Sequence, residues 1–199
     1  MKSRISLPVL DPQYGMYVWP CAVVLAQYLW TQREALKDKT VLELGAGVSL
    51  PGVVAARCGA KVILSDSART PLCLENCRRS CGANGLHDVG VLGLTWGEVS
   101  PDLVLLPKLD IILGSDVFYE PQDFEDVLVT VAFLLRKNPR ARFWTTYQER
   151  REQKDKNVNV TQQNQTWTQL ETKLCDSNII QDINEHSKGD NTTPPSHHN

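Results

Sequence analysis

Residues 41–52 read VLELGAGVSLPG, a stretch that joins an apolar run, two glycines and the beginning of a helical pattern. The apolar run is typical of a strand that is buried on both faces. Gly45 and Gly47 have no Cβ, so the backbone after this strand can approach a ligand closely. Ser49 and Pro51 suit the cap and first turn of a helix whose free N–H groups attract a polar group. The stretch therefore predicts a strand, turn and helix that hold a nucleotide-like ligand.

Apolar runs and helical patterns alternate along most of the chain. The apolar runs predict strands at Thr40–Gly45, Lys61–Asp66, Val89–Leu94, Asp110–Ser115 and Ala141–Thr146. Apolar residues at helical spacing predict helices near Trp19–Leu36, Leu50–Cys58, Pro71–Asn84 and Gln122–Arg136. Regular alternation of this kind implies right-handed crossovers and helices on both faces of one sheet. We therefore expect an α/β fold with a Rossmann-like, doubly wound parallel sheet.

Length and charge restrict the class of protein. The 199 residues carry a formal net charge of -2, which gives no general attraction to nucleic acid or anionic lipid. Residues 1–8 lack the apolar core of a signal peptide, and no stretch reaches the about 18 uninterrupted apolar residues of a membrane span. We expect a soluble intracellular protein that does not bind membranes or nucleic acid directly.

The six cysteines are expected to be reduced thiols, because nothing in the sequence suggests secretion. Cys73, Cys77 and Cys81 recur every four residues along one predicted helix. Such a stripe is too extended to surround one ion readily, whereas buried free cysteines are common. We therefore interpret these thiols as packing residues, and no metal site is predicted.

Two acids accompany the glycine turn. A dinucleotide fingerprint would require a third glycine at position 50, which is Leu50, so the turn fits a pyrophosphate poorly. Glu43 lies just before Gly45 and suits the amino end of a cationic cofactor. Asp66 ends the second predicted strand, where a carboxylate can accept from both hydroxyls of a ribose. The alternative is that both acids are solvated at strand ends, but their combination favours a cofactor site.

The chain resembles the class I, seven-β-strand methyltransferases that use S-adenosyl-L-methionine, and among them methyltransferase family 16, the small protein lysine methyltransferases. The likeness covers residues 14 to 150 and rests on Trp19-Pro20, ELGAG at 43–47, Asp66, LTWG at 94–97 and DIILGSDVFY at 110–119. It implies S-adenosyl-L-methionine as the cofactor. The cofactor contacts that it implies are Trp19, Gly45, Ala46, Gly47, Asp66, Trp96 and Ser115, and Glu43 joins them on the argument above.

Two of these residues are tryptophans with distinct expected roles. Trp96 follows the third predicted strand and is expected to lie over the face of the adenine. Trp19 is expected to cover the methionine end, where an aromatic face favours a sulfonium cation. For each tryptophan the alternative is an ordinary core residue.

The fourth predicted strand ends in the Asp-x-x-Tyr pattern of this family. Methyl transfer needs an aligned acceptor rather than a nucleophilic side chain of the enzyme. An acid and aromatic walls suit an acceptor that arrives as a cation, so the predicted catalytic residues are Asp116, Tyr119 and Glu120. The next turn adds acids that either attract a basic segment or form an ordinary solvated helix start, with no catalytic role: Asp123, Glu125 and Asp126.

The acceptor is expected to be an arginine or a lysine side chain of a protein. The family favours lysine, whereas a resemblance to one of its members implies arginine. The implied substrate is histone H3, the implied partners are chaperones or chromatin proteins, and the implied location is the nucleus and the cytoplasm. Arginine stays protonated, so two carboxylates that grip the guanidinium would assist transfer, and Asp116 with Glu120 would form that grip.

The composition changes after Gln148. Residues 149–199 contain thirteen Asn or Gln but only nine apolar residues, so we expect a methyltransferase domain over 1–148 and a polar, disordered segment over 149–199. The family's final antiparallel strand pair is not visible, which would leave the fifth strand at an unpaired edge. An inactive binding module with the methyltransferase fold, a truncated isoform, is therefore an alternative to an enzyme. An NAD-dependent oxidoreductase is a third.

Overall fold

The computed structural model describes residues 17–148 and 168–172, which form a six-stranded sheet with helices on both faces. The strands are β1 (Thr40–Leu44), β2 (Lys61–Asp66), β3 (Gly90–Gly93), β4 (Ile111–Ser115), β5 (Arg142–Tyr147) and β6 (Thr168–Thr172). The helices are α1 (Pro20–Thr31), α2 (Arg33–Leu36), α3 (Leu50–Arg57), α4 (Pro71–Ala83), α5 (Pro101–Leu105) and α6 (Phe124–Lys137). The α/β architecture and all five predicted strands are confirmed, with strand ends shifted by at most one residue.

The strand order is β3-β2-β1-β4-β5-β6. β1 pairs in parallel with β2 on one side and with β4 on the other. The chain therefore builds outward from β1 in one direction and then returns to build in the other. The loops that follow β1 and β4 diverge at this reversal and leave a crevice at the carboxyl ends of the strands, where open α/β sheets bind ligands.

The first predicted helix is wrong in one respect, because the structure divides it into α1 and α2 at Gln32. The backbone of Gln32, with φ -96° and ψ 12°, departs from helical geometry and ends α1. The Thr31 hydroxyl donates to the Tyr28 carbonyl at 2.7 Å, and the Arg33 guanidinium donates to the Trp30 carbonyl at 3.2 Å. The Tyr28 carbonyl also accepts from the Gln32 N–H at 3.1 Å, so these side chains add to the backbone hydrogen bonds at the end of the helix.

The short helix α5 is missing from the sequence prediction. The Ser100 hydroxyl caps this helix by accepting from the Leu103 N–H at 3.2 Å, and Pro101 begins it. A serine followed by proline and aspartate is a helix-start signal, so the sequence contained the information that this element required.

Two apolar clusters fill the spaces above and below the sheet. One combines α1, α3 and the inner face of α4 with β1, β2 and Trp144 of β5. The other combines α5 and α6 with the opposite faces of β1, β4 and β5. Every residue of β1 beyond the first is buried, including Glu43. This two-sided burial explains why the central strands are continuous apolar runs.

The expectation that the fifth strand lies at an unpaired edge is wrong. β6 pairs antiparallel with β5, from Phe143 opposite Thr172 to Tyr147 opposite Thr168. Sequence analysis missed β6 because its residues, TQLET, include a single strongly apolar side chain, and an edge strand does not need a continuous apolar run. The rest of the 149–199 segment lies outside the described residues.

None of the helices within residues 17–148 is both long enough and apolar enough to cross a membrane.

Candidate functional site

A cavity of about 500 Å³ opens at the carboxyl ends of the central strands, where the strand order reverses. Its volume lies within the range that small-molecule sites occupy, about 300–1,000 Å³. The lining combines residues from the loops after β1, β2, β3 and β4 with the approach to α1. Nine of the eleven predicted site residues line this cavity: Trp19, Gly45, Ala46, Gly47, Asp66, Trp96, Ser115, Asp116 and Tyr119.

The loop after β1 takes a backbone conformation that requires glycine. Gly45 and Gly47 have φ values of 59° and 50°, in the left-handed region that side chains with a Cβ rarely adopt. The Ala46 N–H donates to the Ser65 carbonyl at 2.9 Å, which ties the loop to β2. The loop therefore presents bare backbone along one wall of the cavity.

The inner face of α4 supports this loop from below. The Cys77 thiol donates to the Gly47 carbonyl at 3.4 Å, and the Ser80 hydroxyl donates to the Val48 carbonyl at 2.9 Å. Burial raises the pKa of the Cys77 thiol to about 12 and that of Cys73 to about 11. Both thiols are therefore protonated packing groups, as the stripe on this helix predicted, although Cys73 also lines the cavity.

Asp66 lies at the end of β2, and a backbone N–H group holds each of its carboxylate oxygens. Oδ2 accepts from the Gly47 N–H and Oδ1 accepts from the Ser67 N–H, each at 2.8 Å. Burial raises the pKa of Asp66 above its ordinary value, while these two N–H groups lower it. Each carboxylate oxygen has a further lone pair for a ligand hydroxyl. Asp66 is thus a fixed acceptor at the cavity wall.

Two aromatic side chains enclose the cavity. A Cβ placed on Gly45 would lie 3.0 Å from Cζ2 of Trp96, so the indole of Trp96 rests on the glycine loop. Trp19 stands on the other side, immediately before α1, and contacts Tyr17 edge-to-face with 5.5 Å between ring centroids. Trp96 and Trp19 are partly exposed, so each presents ring surface that a ligand can contact.

Glu43 does not line the cavity, and the prediction that it contacts the cofactor is not supported. Its side chain is fully buried beneath the loop, where Oε2 accepts from the Gly52 N–H at 2.9 Å. Oε1 has no hydrogen-bond partner among the described residues. Burial raises the pKa of Glu43 to about 8, Gly52 lowers it and Asp66 raises it further. Glu43 is therefore a protonated internal brace between β1 and α3 at neutral pH.

Asp116 follows β4 in an unusual backbone conformation. Its φ is 56° and its side chain is buried, although it lines the cavity. Aspartate tolerates the left-handed region better than most residues, yet the conformation is uncommon outside glycine and clusters at functional sites. The Asp116 N–H donates to the Thr146 carbonyl at 2.7 Å. The sheet itself therefore holds this carboxyl at the cavity.

Thr146 on β5 connects two walls of the cavity. Its carbonyl holds Asp116, and its hydroxyl donates to the Cys21 carbonyl at 2.9 Å. Cys21 lies in the first turn of α1, two residues after Trp19. One strand residue thus fixes the positions of the acid and of the segment that carries the aromatic wall.

Glu120 is not among the residues that line the cavity, so the predicted grip of Asp116 and Glu120 on a guanidinium stays a prediction that the cavity lining does not support. The chain turns at Pro121 into a short 3-10 helix, and Glu120 precedes that helix with extended backbone and no capping bond from its side chain. The acids that do line the cavity beside Asp116 and Tyr119 are Asp123 and Asp126. The acidic rim predicted from the sequence is therefore partly confirmed, whereas Glu125 lies outside the lining.

Sequence analysis missed two charged residues of the cavity, Arg69 and Glu98. They form an ion pair between the loops after β2 and β3. Both side chains are exposed, so the pair contributes little to stability. No local pattern identifies two partners that are 29 positions apart.

The residues around the cavity fit an adenosyl ligand with a cationic centre. The Asp66 carboxylate, held by two backbone N–H groups, lies at the end of the second strand, and bare backbone follows the first strand. The indole of Trp96 offers a surface on which a flat ring can stack. A second, separate set of acid and aromatic groups stands at the end of the fourth strand. The arrangement provides for two ligands in one cavity.

Curated relatives of this chain are methyltransferases. Over 150 residues the chain is 71% identical to the histone-arginine methyltransferase METTL23 of Xenopus laevis, covering 75% of this chain and 64% of that protein. It is 38% identical over 118 residues to the protein N-lysine methyltransferase METTL21A of Xenopus tropicalis, covering 59% of this chain and 54% of that protein. The chain spans between 56% and 71% of the length of four METTL23 relatives.

A solved structure supports the fold, and a family model identifies the family. The SAM-dependent methyltransferase of Agrobacterium tumefaciens superposes with a TM-score of 0.52 at 17% identity, covering 67% of this chain and 46% of that chain. The model of methyltransferase family 16, described as lysine methyltransferase, matches residues 8–164. With its predicted motifs around one cavity and more than half of its length matched, the chain belongs to methyltransferase family 16.

Proposed function

We propose that this protein transfers a methyl group from S-adenosyl-L-methionine to a cationic side chain of a protein, with arginine as the first candidate acceptor. The observation that carries the proposal is the cavity itself. The adenosyl-type groups, with Asp66 and the glycine loop, and the acid–aromatic groups, with Asp116 and Tyr119, line the same space. A cofactor and an acceptor would therefore meet inside it.

The cofactor supplies a methyl carbon already activated by a positively charged sulfur, so the protein has little covalent chemistry to perform. Asp66 would accept from the ribose hydroxyls, and Trp96 would cover the adenine. Asp116 would hold the cationic acceptor beside Tyr119 and stabilise the charged group during transfer. The buried position of Asp116 makes its carboxylate a stronger partner for a cation than an exposed acid.

Arginine and lysine differ in what they require of the acceptor side of the cavity. A guanidinium binds carboxylates through several N–H groups in one plane, whereas an ammonium needs a single acid and must lose its proton. Asp123 and Asp126 join Asp116 in the lining, which suits a guanidinium. The names of the more similar relatives also support arginine, and the family description supports lysine. We place arginine first, with histone H3 as the proposed substrate.

Cofactor class is tested by calorimetric titration of the purified protein with S-adenosylmethionine, S-adenosylhomocysteine and NAD. We expect the two adenosyl compounds to bind and NAD to show no heat of binding. Tight NAD binding without adenosyl binding would contradict the proposal and favour an oxidoreductase. Failure of all three ligands to bind would favour a binding module with the methyltransferase fold.

Acceptor chemistry is tested by incubating core histones and peptide arrays with cofactor labelled on the methyl group. Mass spectrometry then locates the label on arginine or lysine. A catalytically active METTL23 relative serves as the positive control. Adenosyl binding without any labelled protein, in an assay where that control is active, would indicate an inactive binding module. We further propose nuclear and cytoplasmic location with chromatin or chaperone partners, tested by imaging and affinity purification of the tagged chain.

A further inference from the structure

Thr130 is a buried polar residue on the apolar face of α6. The other buried residues of this helix are Val127, Val131, Leu134 and Leu135. Thr130 is only 3% exposed, and its hydroxyl makes two hydrogen bonds. It accepts from the Gly97 N–H at 2.9 Å and donates to the Asp126 carbonyl at 2.8 Å. A hydroxyl in an apolar row is explained by a partner outside the helix, here the turn after β3.

A side chain at position 97 would not fit on the α6 side of this turn. Gly97 has a φ of 76°, and a Cβ on it would lie 2.3 Å from Oδ1 of Asp126. Backbone and helix are therefore in direct contact, and the Thr130 hydroxyl fixes their register. On its other side, the same turn carries Trp96, whose indole rests on Gly45 of the glycine loop.

We propose that Thr130 is a positioning residue for cofactor binding, because it holds the Trp96–Gly97 turn at the height that lets the indole cover the cavity. The inference rests on the proposed function, since it requires an adenosyl ligand in the cavity. α6 thereby takes part in binding the cofactor without contacting it. Thr130 and α6 lie outside the sequence motifs on which the resemblance to the family rests.

Removing the hydroxyl has a defined physical consequence. The Gly97 N–H then loses its partner and has to turn toward water, and the turn moves with it. Trp96 follows, because it is the neighbouring residue. Ligand binding must then return the turn to the position in which Trp96 covers the cavity. The free energy that this return costs lowers the affinity for the ligand.

The test compares three variants by calorimetry with S-adenosylhomocysteine as the probe. Thr130→Val keeps the shape of the side chain and removes its hydrogen bonds, whereas Thr130→Ser keeps the hydroxyl. Val129→Ala is the control, because Val129 is exposed on the same helix and lies outside the cavity lining. We expect about fivefold to tenfold weaker binding for Thr130→Val. Thr130→Ser and Val129→Ala are expected to stay within about twofold of wild type.

Thermal unfolding without ligand separates positioning from stability. A merely structural role lowers the melting temperature of Thr130→Val but leaves the affinity of its folded molecules unchanged, and that result would overturn the proposal. Equal losses in Thr130→Ser and Thr130→Val would overturn it too. If Thr130→Val does not fold, Thr130→Cys replaces it, since a thiol is a weaker hydrogen-bonding group, and wild-type affinity in that variant overturns the proposal. Wild-type protein that does not bind the probe overturns the proposed function as well.

Discussion

Asp66 and Asp116 show how two residues of one type acquire different properties in the same cavity. Asp66 is held by two backbone N–H groups and stands at the end of an ordinary strand. Asp116 lies in left-handed backbone that the carbonyl of Thr146 keeps in place. The first arrangement suits a fixed hydrogen-bond acceptor for the ribose of the proposed cofactor, and the second holds a buried carboxyl in the part of the cavity where we propose that the substrate side chain binds.

Substitutions of the two aspartates are expected to have different effects on cofactor binding and on turnover. Asp66→Asn weakens S-adenosylhomocysteine binding by about tenfold or more, because charge-assisted hydrogen bonds to the ligand are lost. Asp116→Asn leaves that affinity within about twofold and lowers turnover by about a hundredfold or more. Asparagine also tolerates left-handed backbone, which keeps Asp116→Asn a test of charge rather than of folding. Calorimetry and a labelled-methyl assay measure the two effects, and equal cofactor affinity in wild type and Asp66→Asn would refute the assignment.

Glu43 is expected to make stability fall as pH rises. The folded protein keeps the carboxyl protonated up to pH about 8, whereas the unfolded chain releases this proton near 4.5. Between these values the folded state binds more protons, so the free energy of unfolding decreases with pH by about 1.4 kcal/mol per unit. The contribution of Glu43 to stability is fully present below the unfolded pKa of 4.5 and is lost as pH rises through the folded pKa of about 8.

Glu43→Gln is the matched variant for this effect, because it keeps the shape of the side chain and has no proton to release. Urea unfolding of both proteins at several pH values gives the difference between their stabilities. We expect the free energy of unfolding of wild type, relative to that of Glu43→Gln, to fall as pH rises toward 8 and then to stop changing. A difference that is independent of pH would mean that Glu43 is ionised in the folded protein.

Most helices and strands could be predicted because the pattern of apolar residues within each segment is sufficient to indicate its structure. A strand buried on both faces, such as β1, is an apolar run whatever its neighbours are. The division between α1 and α2 depends on the backbone of Gln32, which departs from helical geometry, and apolar spacing does not predict that departure. β6 depends on a partner strand, since its own residues are mostly polar. The same limit explains Arg69 and Glu98, which meet only in the folded chain.

Gly52 is required where α3 passes over β1 and β2. A Cβ there would lie 2.3 Å from Cδ2 of Leu64 and 2.4 Å from Oε2 of Glu43. Gly52→Ala is therefore expected to destabilise the protein by about 2–3 kcal/mol through overpacking. Gly82 in α4 is the control, because a Cβ there meets nothing within 4 Å, and Gly82→Ala is expected to add about 0.5–1 kcal/mol. Urea unfolding measures both, and similar effects at the two sites would argue against the packing around Gly52.

At the scale of the whole molecule, charge is balanced overall but uneven near the cavity. The net charge is -2, while Asp116, Asp123 and Asp126 line one side of the cavity. Composition indicates that no general field is present but does not locate the cluster, whereas sequence order does, because all three acids lie between the end of β4 and the first turn of α6. The glycine loop and Asp66 could be placed from the sequence because each follows a predictable strand. Glu43 and Glu120 lie outside the cavity lining although they were predicted in the site, because sequence spacing does not tell where a side chain points.

Salt is expected to affect the two ligands differently. Raising sodium chloride from about 50 to about 300 mM screens exposed charges, so the affinity for a basic histone peptide falls several-fold. S-adenosylhomocysteine carries balanced charges, and its affinity changes by less than about twofold. Both affinities are measured by calorimetry.

The variant Asp123→Asn with Asp126→Asn is expected to remove most of this salt dependence. Asp102→Asn is the control, because Asp102 is exposed on α5 and lies outside the cavity lining. A peptide affinity that does not respond to salt in the wild-type protein would mean that the acidic rim does not attract the substrate.

The bonds of Thr146 have a consequence for which side of the cavity responds to changes in β6. Thr146 holds Asp116 and the first turn of α1, and β6 pairs with it through Gln169. β6 is therefore one strand away from Asp116 and from the first turn of α1, whereas the glycine loop and Asp66 lie beyond β4. A change in β6 is expected to disturb the Asp116 side of the cavity before it disturbs the side formed by the glycine loop and Asp66.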